Sequence, residues 1–290
     1  MHAHAVTAAA AVAALGAAVL LSPDSDARFA RTAQPTVIAH RGASAYAPEN
    51  TLAAIDKAAE LGFSWVENDV QRTKDGRLVI IHDDNLARTT NVEDVFPDRA
   101  PWKVKDFTAA EIAKLDAGSW FSPSYAGARV PTLETYMRRV ERNHEKLLLE
   151  IKNPELYPGI EAQILKTLSN QGWLNGAHRS RLIVQSFSTD SLRAVHDLKP
   201  ALTTGYLGSP KTEELSGYAG FTDMINPSYT TASESYVSAV HALKGPHGKP
   251  MRVFTWTVND AATARQVKGY GVDGIITNKP DVVRDALNAD

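Results

Sequence analysis

Between residues 36 and 287, short β-rich runs that end in polar residues alternate with segments of helical periodicity. That alternation restricts the chain to parallel strands joined by helical crossovers. Strands are read at 36–40, 65–70, 78–82, 147–151, 182–185, 203–207, 223–226, 253–258 and 274–277. Helices are read at 50–61, 133–141, 159–169, 189–197, 261–268 and 280–287. The strands exceed by one the eight places of a (β/α)8 barrel. The surplus is explained at 72–77, which is too short for a parallel crossover and carries the hairpin signal Asp75-Gly76. The fold class expected is α/β, a TIM (β/α)8 barrel with one antiparallel strand. Read as a two-residue turn with Lys74 facing Arg77, the hairpin sets His82 opposite Asp69, on the face that also carries Glu67.

A length of 290 residues suits a single domain of this class. The net charge of -2 offers no broad field to hold nucleic acid, and Cys 0 removes disulfides, thiolate nucleophiles and Cys-ligated zinc. Residues 5–21 are almost wholly apolar and Ala-rich, then the chain turns polar, which resembles the h-region of a secretory signal. Small residues at Ser25 and Ala27 offer a cleavage site, although Met1 to His4 lacks the usual Lys or Arg. A buried helix or a membrane anchor competes with this reading, but the run is short for a span. The expected organisation is a leader and linker over 1–30 and one barrel domain over 31–290. That implies secretion with no stable membrane insertion, as a monomer or small homo-oligomer.

Residues 85–130 lack a long periodic pattern and contain Pro97, Pro101 and Pro123, so they are read as an insertion over one end of the barrel. Thr108 and Glu111 have the spacing of a capping box for a short helix within it. No second core is expected.

His40-Arg41-Gly42 brings a titratable imidazole and a fixed cation to one strand end. Arginine can chelate phosphate through two parallel hydrogen bonds, and histidine can move a proton near neutral pH. Alone, such a dipeptide is usually a packed strand end. Glu67 and Asp69 share one face of a strand flanked by Trp65, Val66 and Val70. Acids that close raise each other's pKa unless a cation intervenes, so a bound divalent ion is the natural solution. Glu150 and Lys152 repeat the pattern after Leu147-Leu148-Leu149, adding an oxygen ligand and a second cation. His82 ends another apolar run, where a lone histidine is more often structural. Phe187 and Trp256 could wall the carbon skeleton of a substrate, although aromatics at strand ends are core at least as often.

Together these segments resemble the glycerophosphodiester phosphodiesterase family. The resemblance rests on His40-Arg41-Gly42, Pro48-Glu49-Asn50-Thr51, Glu67-x-Asp69-Val70, Thr73-Lys74-Asp75-Gly76, His82-Asp83, Arg88-Thr89-Thr90, Glu150-x-Lys152, Gln185-Ser186-Phe187, Trp256-Thr257-Val258-Asn259 and 273–278. It implies a phosphatidylinositol-phospholipase-C-like barrel that holds one divalent metal ion, Ca2+ or Mg2+, on Glu67, Asp69 and Glu150. It further implies His40 and His82 as the acid–base pair, Arg41 and Lys152 on the phosphate, and a small glycerophosphodiester as substrate. Asn68, where the family often has an apolar residue, and the Pro-rich stretch 91–101 depart from the pattern without touching those residues.

Other functions are weighed against the same residues. A lysophospholipase D or sphingomyelinase D on this fold typically carries disulfide-bonded loops, and Cys 0 counts against that branch. A glycosidase needs carboxyls from separate strands about 5 Å or more apart, whereas Glu67 and Asp69 suit a shared metal. An exported binding protein without activity would be signalled by loss of a histidine or a metal acid, and none is missing.

Overall fold

The computed structural model describes Met1, His2 and residues 34–289, so the leader expected over 1–30 lies, beyond His2, outside the described residues. The chain divides into Met1–Thr32 and Ala33–Asp290, and the second unit is the barrel. Among the described residues there are nine strands: β1 (Thr36–Ala39), β2 (Trp65–Arg72), β3 (Leu78–Ile80), β4 (Lys146–Ile151), β5 (Leu182–Ser186), β6 (Thr203–Leu207), β7 (Met224–Asn226), β8 (Arg252–Thr255) and β9 (Gly274–Thr277). All but β3 close a parallel barrel, with β9 returning to β1 and β1 to β2. Helices α1 (Leu52–Glu60), α2 (Val92–Val95), α3 (Ala109–Ile112), α4 (Leu133–Arg142), α5 (Ile160–Asn170), α6 (Thr189–Leu198), α7 (Glu234–His241), α8 (Ala261–Gly269) and α9 (Pro280–Asn288) occupy the connections. Between β6 and β7 the connection holds a 3-10 helix, Thr212–Gly217, instead.

The sequence dictates where the helices begin. The side chains of Thr51, Thr132, Ser188, Ser233 and Asp260 each accept a hydrogen bond from the amide three residues on. Each cap satisfies an orphan donor and contributes about 1 kcal/mol. Alternation along the strands then sorts side chains to two sides. Ile38, Leu148, Ile183, Met224, Phe254 and Ile276 fill the barrel interior. Val66, Val70, Leu147, Leu149 and Val184 face outward and pack with residues of α1, α4 and α5, while a second outer cluster joins β7, β8 and β9 to α7, α8 and α9.

The hairpin forms, but with a different register. The pairs are Val70↔Ile80, Gln71↔Val79 and Arg72↔Leu78. The loop therefore has three residues, Lys74-Asp75-Gly76: the Thr73 carbonyl accepts from the Gly76 amide at 3.0 Å, and the Thr73 amide donates to Arg77 O at 2.9 Å. Gly76 sits at φ 78, the left-handed conformation that closes a three-residue loop. His82 is consequently not paired with Asp69; the ladder ends where the Ile81 amide donates to Asp69 O at 3.0 Å. As the chain leaves the sheet, the fully buried Gln71 gathers it, its Nε2 donating to the carbonyls of Ile81, His82 and Asp83 at 3.0, 3.0 and 2.6 Å.

The insertion has a hydrophobic cluster of its own, contrary to expectation. Leu86, Val92, Val104, Phe107, Ile112 and Leu115 pack on Val79 and Ile81. Thr108 and Glu111 form the expected capping box at the start of α3.

One buried group makes stability depend on pH. Glu145, just before β4, is 1% exposed, and neither carboxylate oxygen has a hydrogen-bond partner. Burial, with some help from the Asp56 charge, pushes its pKa up to about 8. Stability from such a raised group is fully present below its ordinary value and is lost as pH rises toward the folded one. Glu145→Gln should remove that slope and stabilise the barrel above pH 8 by about 2–4 kcal/mol, read from thermal melts across the range. An unchanged slope would place the ionisation elsewhere.

Candidate active site

The site is built on the carboxyl ends of β1, β2, β4 and β5, the end at which barrels of this class carry their chemistry. After β1 the chain turns sharply, with Arg41 at φ 56 and Gly42 at φ 79. A Cβ on Gly42 would come within 2.6 Å of Ala54 in α1, so both the turn and its packing require glycine. The turn sends the Arg41 amide to Glu67 Oε2 at 2.9 Å, its Nη1 to Glu49 Oε1 at 2.8 Å, and its Nε to within 3.4 Å of Asp69 Oδ2. Asn50 Nδ2 donates to Asp69 Oδ2 at 2.8 Å. Glu67 and Asp69 are each 1% exposed, because β2 turns them inward between β1 and β4. The register Asp69↔Glu150 sets the third carboxylate beside them. One oxygen from each of the three lies within 4.8 Å of the others.

These carboxylates do not share charge comfortably. Desolvation, then the charges of Asp69 and Glu150, hold Glu67 well above the usual carboxylate range. Burial and the Asp69 charge push Glu150 up to about 7. Asp69 stays below its ordinary value; burial opposes its charge, but Arg41, His82 and Lys152 outweigh burial. Asp69 Oδ1 has no hydrogen-bond partner, and Lys152 Nζ, 4.0 Å from it, stands closer to Glu150 Oε1, at 2.9 Å. Three buried hard oxygens, one of them unpartnered and two of the acids favouring a proton, are what a divalent cation would satisfy. The residues present therefore fit a metal ion, and the buried acidic cluster could hold one.

His40 and His82 line one open pocket of about 110 Å³ together with Arg41, Glu67, Glu150, Lys152, Gln185, Leu207, Ile276, Phe187 and Trp256. Asp69 joins through the carboxylate cluster. All nine candidate residues thus converge. The rings of Phe187 and Trp256 meet edge to face at 5.6 Å, and Lys152 Nζ lies 5.4 Å from the Phe187 ring centre. Behind the imidazoles the partners differ. His40 Nδ1 meets Asn278 Oδ1 at 2.6 Å, and His82 Nδ1 meets Asp83 Oδ1 at 2.6 Å. Burial and the Arg41 charge push His40 down to about 4; burial also lowers His82, against the raising effect of Asp69.

Several residues that shape the site had no role in the sequence reading. Asn278, at the end of β9, lies 238 positions from the histidine it holds. Glu49, Asp83 and Arg88 stood within matched segments, but nothing local showed that they meet. Gln71 carried one signal, its place on the inward face of β2 two positions beyond Asp69.

Fold and site together define an enzyme of a particular class, a (β/α)8 barrel with acids, imidazoles and cations gathered at the carboxyl ends of its strands. Residues 40–282 match the model of the glycerophosphoryl diester phosphodiesterase family, and the chain belongs to that family. It is 36% identical over 282 residues to a glycerophosphodiester phosphodiesterase of Bacillus subtilis, covering 91% of this chain and 87% of that one. A glycerophosphodiester phosphodiesterase of Caldanaerobacter subterraneus is 37% identical over 255 residues, 85% of this chain and 95% of its own length. Among solved structures, an Oleispira antarctica phosphodiesterase in complex with the product sn-glycerol-3-phosphate superposes with a TM-score of 0.76 at 30% identity, covering 88% and 98% of the two chains. The chain is a glycerophosphodiester phosphodiesterase by family, fold and likeness to these enzymes.

Proposed function

We propose that the chain is an exported, metal-dependent enzyme that cleaves short glycerophosphodiesters, such as glycerophosphocholine or glycerophosphoethanolamine, to glycerol 3-phosphate and an alcohol. The observation that carries this reading is the pair of imidazoles on one pocket, each tied through Nδ1 and with no hydrogen bond to Nε2 among the described residues, on a cluster of three acids and two cations. Glu67, Asp69 and Glu150 would hold one hard divalent ion, Ca2+ or Mg2+, and the ion would neutralise charge developing on the phosphoryl oxygens. Arg41 and Lys152 bind the same oxygens. Export rests on the apolar run 5–21.

The two Nδ1 partners support one division of the proton transfers. An amide oxygen such as that of Asn278 accepts an N–H from a neutral ring, which leaves His40 Nε2 a lone pair to take the proton of the attacking oxygen. The Asp83 carboxylate opposes the lowering of His82 by burial, whereas His40 is pushed down to about 4, so of the two rings His82 is better suited to deliver a proton to the departing alkoxide. Phe187, Trp256, Leu207 and Ile276 offer the glycerol carbons an apolar wall.

The product held by the Oleispira enzyme supports a glycerophosphodiester substrate here. The pocket is small, about 110 Å³, so kcat/KM for glycerophosphocholine should exceed that for a lysolipid by about tenfold or more. Parallel assays of glycerophosphocholine, glycerophosphoethanolamine and lysophosphatidylcholine test this. Equal turnover of the lysolipid would favour a lysophospholipase D.

A further inference from the structure

Arg88 lies outside the pocket lining, and its side chain is 44% exposed. Its guanidinium nevertheless makes four hydrogen bonds to two carboxylates. Nε and Nη2 donate to Asp83 Oδ2 and Oδ1 at 2.6 and 3.1 Å. Nη1 and Nη2 donate to Glu49 Oε2 and Oε1 at 2.9 and 2.8 Å. Each of those carboxylates in turn holds one side chain of the site: Asp83 holds His82 Nδ1, and Glu49 holds Arg41 Nη1 at 2.8 Å. A continuous chain of charge-assisted bonds therefore runs from His82 through Asp83, Arg88 and Glu49 to Arg41.

We propose that Arg88 is a positioning residue, a clamp that sets the His82 imidazole and the Arg41 guanidinium relative to one another across the mouth of the pocket. This rests on the roles proposed above for His82 and Arg41. The need for a clamp follows from how the two groups are delivered. Arg41 sits in the left-handed turn after β1, and His82 on the segment that leaves the sheet after β3. No backbone ladder joins those loops beyond the short pairing of β1 with β2. Without a cation between them, Asp83 and Glu49 would repel and draw the loops apart. Arginine is suited to the place because its planar fork can grip two carboxylates with two N–H bonds each, whereas an ammonium is a point charge with three donors on one atom.

The clamp has a firm base despite the exposure of its tip. Leu86 is fully buried in the insertion's own cluster, and the Ala87 amide donates to Asn85 Oδ1 at 2.7 Å. Thr90 Oγ1 donates to Leu86 O at 2.6 Å. The insertion thus contributes to catalysis from outside the pocket by presenting one arginine at a fixed angle.

The test compares Arg88→Ala, Arg88→Lys, Asp83→Asn, Glu49→Gln, His82→Ala and Arg41→Ala, with kcat and KM measured on glycerophosphocholine and on bis(4-nitrophenyl) phosphate. Arg88→Ala should lose about 10–100-fold in kcat/KM on glycerophosphocholine, the scale on which misplaced catalytic groups act. The loss should divide into a fall in kcat shared with Asp83→Asn and a rise in KM shared with Glu49→Gln. The double variants Arg88→Ala/Asp83→Asn and Arg88→Ala/Glu49→Gln should be much less than additive. Millimolar guanidinium should restore part of the activity of Arg88→Ala, and Arg88→Lys should recover less than the wild-type rate. A purely structural role would give neither the divided loss nor the rescue.

Near-wild-type kinetics for Arg88→Ala, or losses that add fully with those of Asp83→Asn and Glu49→Gln, would overturn the clamp. Should Arg88→Ala not fold, the Arg88→Lys cycles carry the same decision. If His82→Ala and Arg41→Ala are impaired while the Arg88 variants are not, the clamp alone fails. If His82→Ala itself keeps its turnover, the proposed mechanism fails and the clamp with it.

Discussion

His40→Ala and His82→Ala should each lower the turnover of glycerophosphocholine by about two to four orders of magnitude, the usual worth of general acid–base catalysis. The size follows from what each ring lacks as a substitute: no other imidazole lines the pocket among the described residues. Circular dichroism and metal content should stay at wild-type values, because neither ring is needed to fill the barrel core or belongs to the acidic cluster. The leaving group separates the two roles. An alkoxide departs only with a proton, whereas a nitrophenolate departs without one. His82→Ala should therefore be partly rescued on bis(4-nitrophenyl) phosphate, and His40→Ala, lacking the base that activates the attacking oxygen, should not. Rescue in the reverse order would exchange the assignments made from Asn278 and Asp83. Near-normal turnover of both variants on glycerophosphocholine would dismiss the pair altogether.

The barrel was legible because its information is local and repeated. Most strands are apolar runs closed by a polar residue, and most of the longer helices begin with a serine, threonine or aspartate that caps them. Helix α7 is not legible in the sequence: at Glu234–His241 it is short, and its Tyr, Ser and Val residues are weak helix formers. The hairpin was legible as a hairpin but not in register. Asp75-Gly76 fits a two-residue turn as well as the last two positions of a three-residue loop; the two-residue I′ turn would need positive φ at both residues, and of the two only Gly76, at φ 78, has it. That single residue moves the facing of everything after it, so His82 reaches the pocket by leaving the ladder and not by its pairing.

The candidate site divides in the same way. Glu67, Asp69, Glu150 and Lys152 were readable because two-residue spacing at the end of an apolar strand fixes a shared face. Glu49 and Arg88 meet from 39 positions apart, and no periodicity encodes that contact. Asn68 illustrates the limit from the other side. Alternation places it outward among Val66 and Val70, where it is fully buried with neither side-chain polar atom bonded, and nothing in the structure explains a polar residue there.

Chelation should abolish activity, and the protein should show the loss in its stability as well as in its rate. In the metal-free site three buried carboxylates face one another, and burial plus mutual repulsion drive Glu67 and Glu150 toward protonation. A divalent ion that binds only the folded barrel adds stability that grows with the logarithm of its concentration, about 2.7 kcal/mol at a hundred times Kd. For a domain of this size that raises Tm by roughly 5–10 °C. The ion giving the larger rise at equal free concentration, calcium or magnesium, identifies the better fit. Glu67→Gln should behave oppositely to most active-site substitutions: it removes one of the repelling charges, so in chelator it should melt at or above the wild-type temperature. Glu150→Gln should instead lower Tm, because it takes the counter-charge from Lys152 Nζ, 2.9 Å from Glu150 Oε1; neither variant should gain the rise on adding the ion. Both should also be nearly inactive, and calorimetric titration should show ion binding weakened in each. Asp69→Ala should differ in sign, since Asp69 is the acid that Arg41, Lys152 and Asn50 hold in its charged form; its loss leaves buried donors unmatched and should lower Tm with or without the ion. Full activity in excess chelator, with no metal found by elemental analysis and no shift in Tm on adding either ion, would leave the acids to organise Arg41 and Lys152 and nothing more.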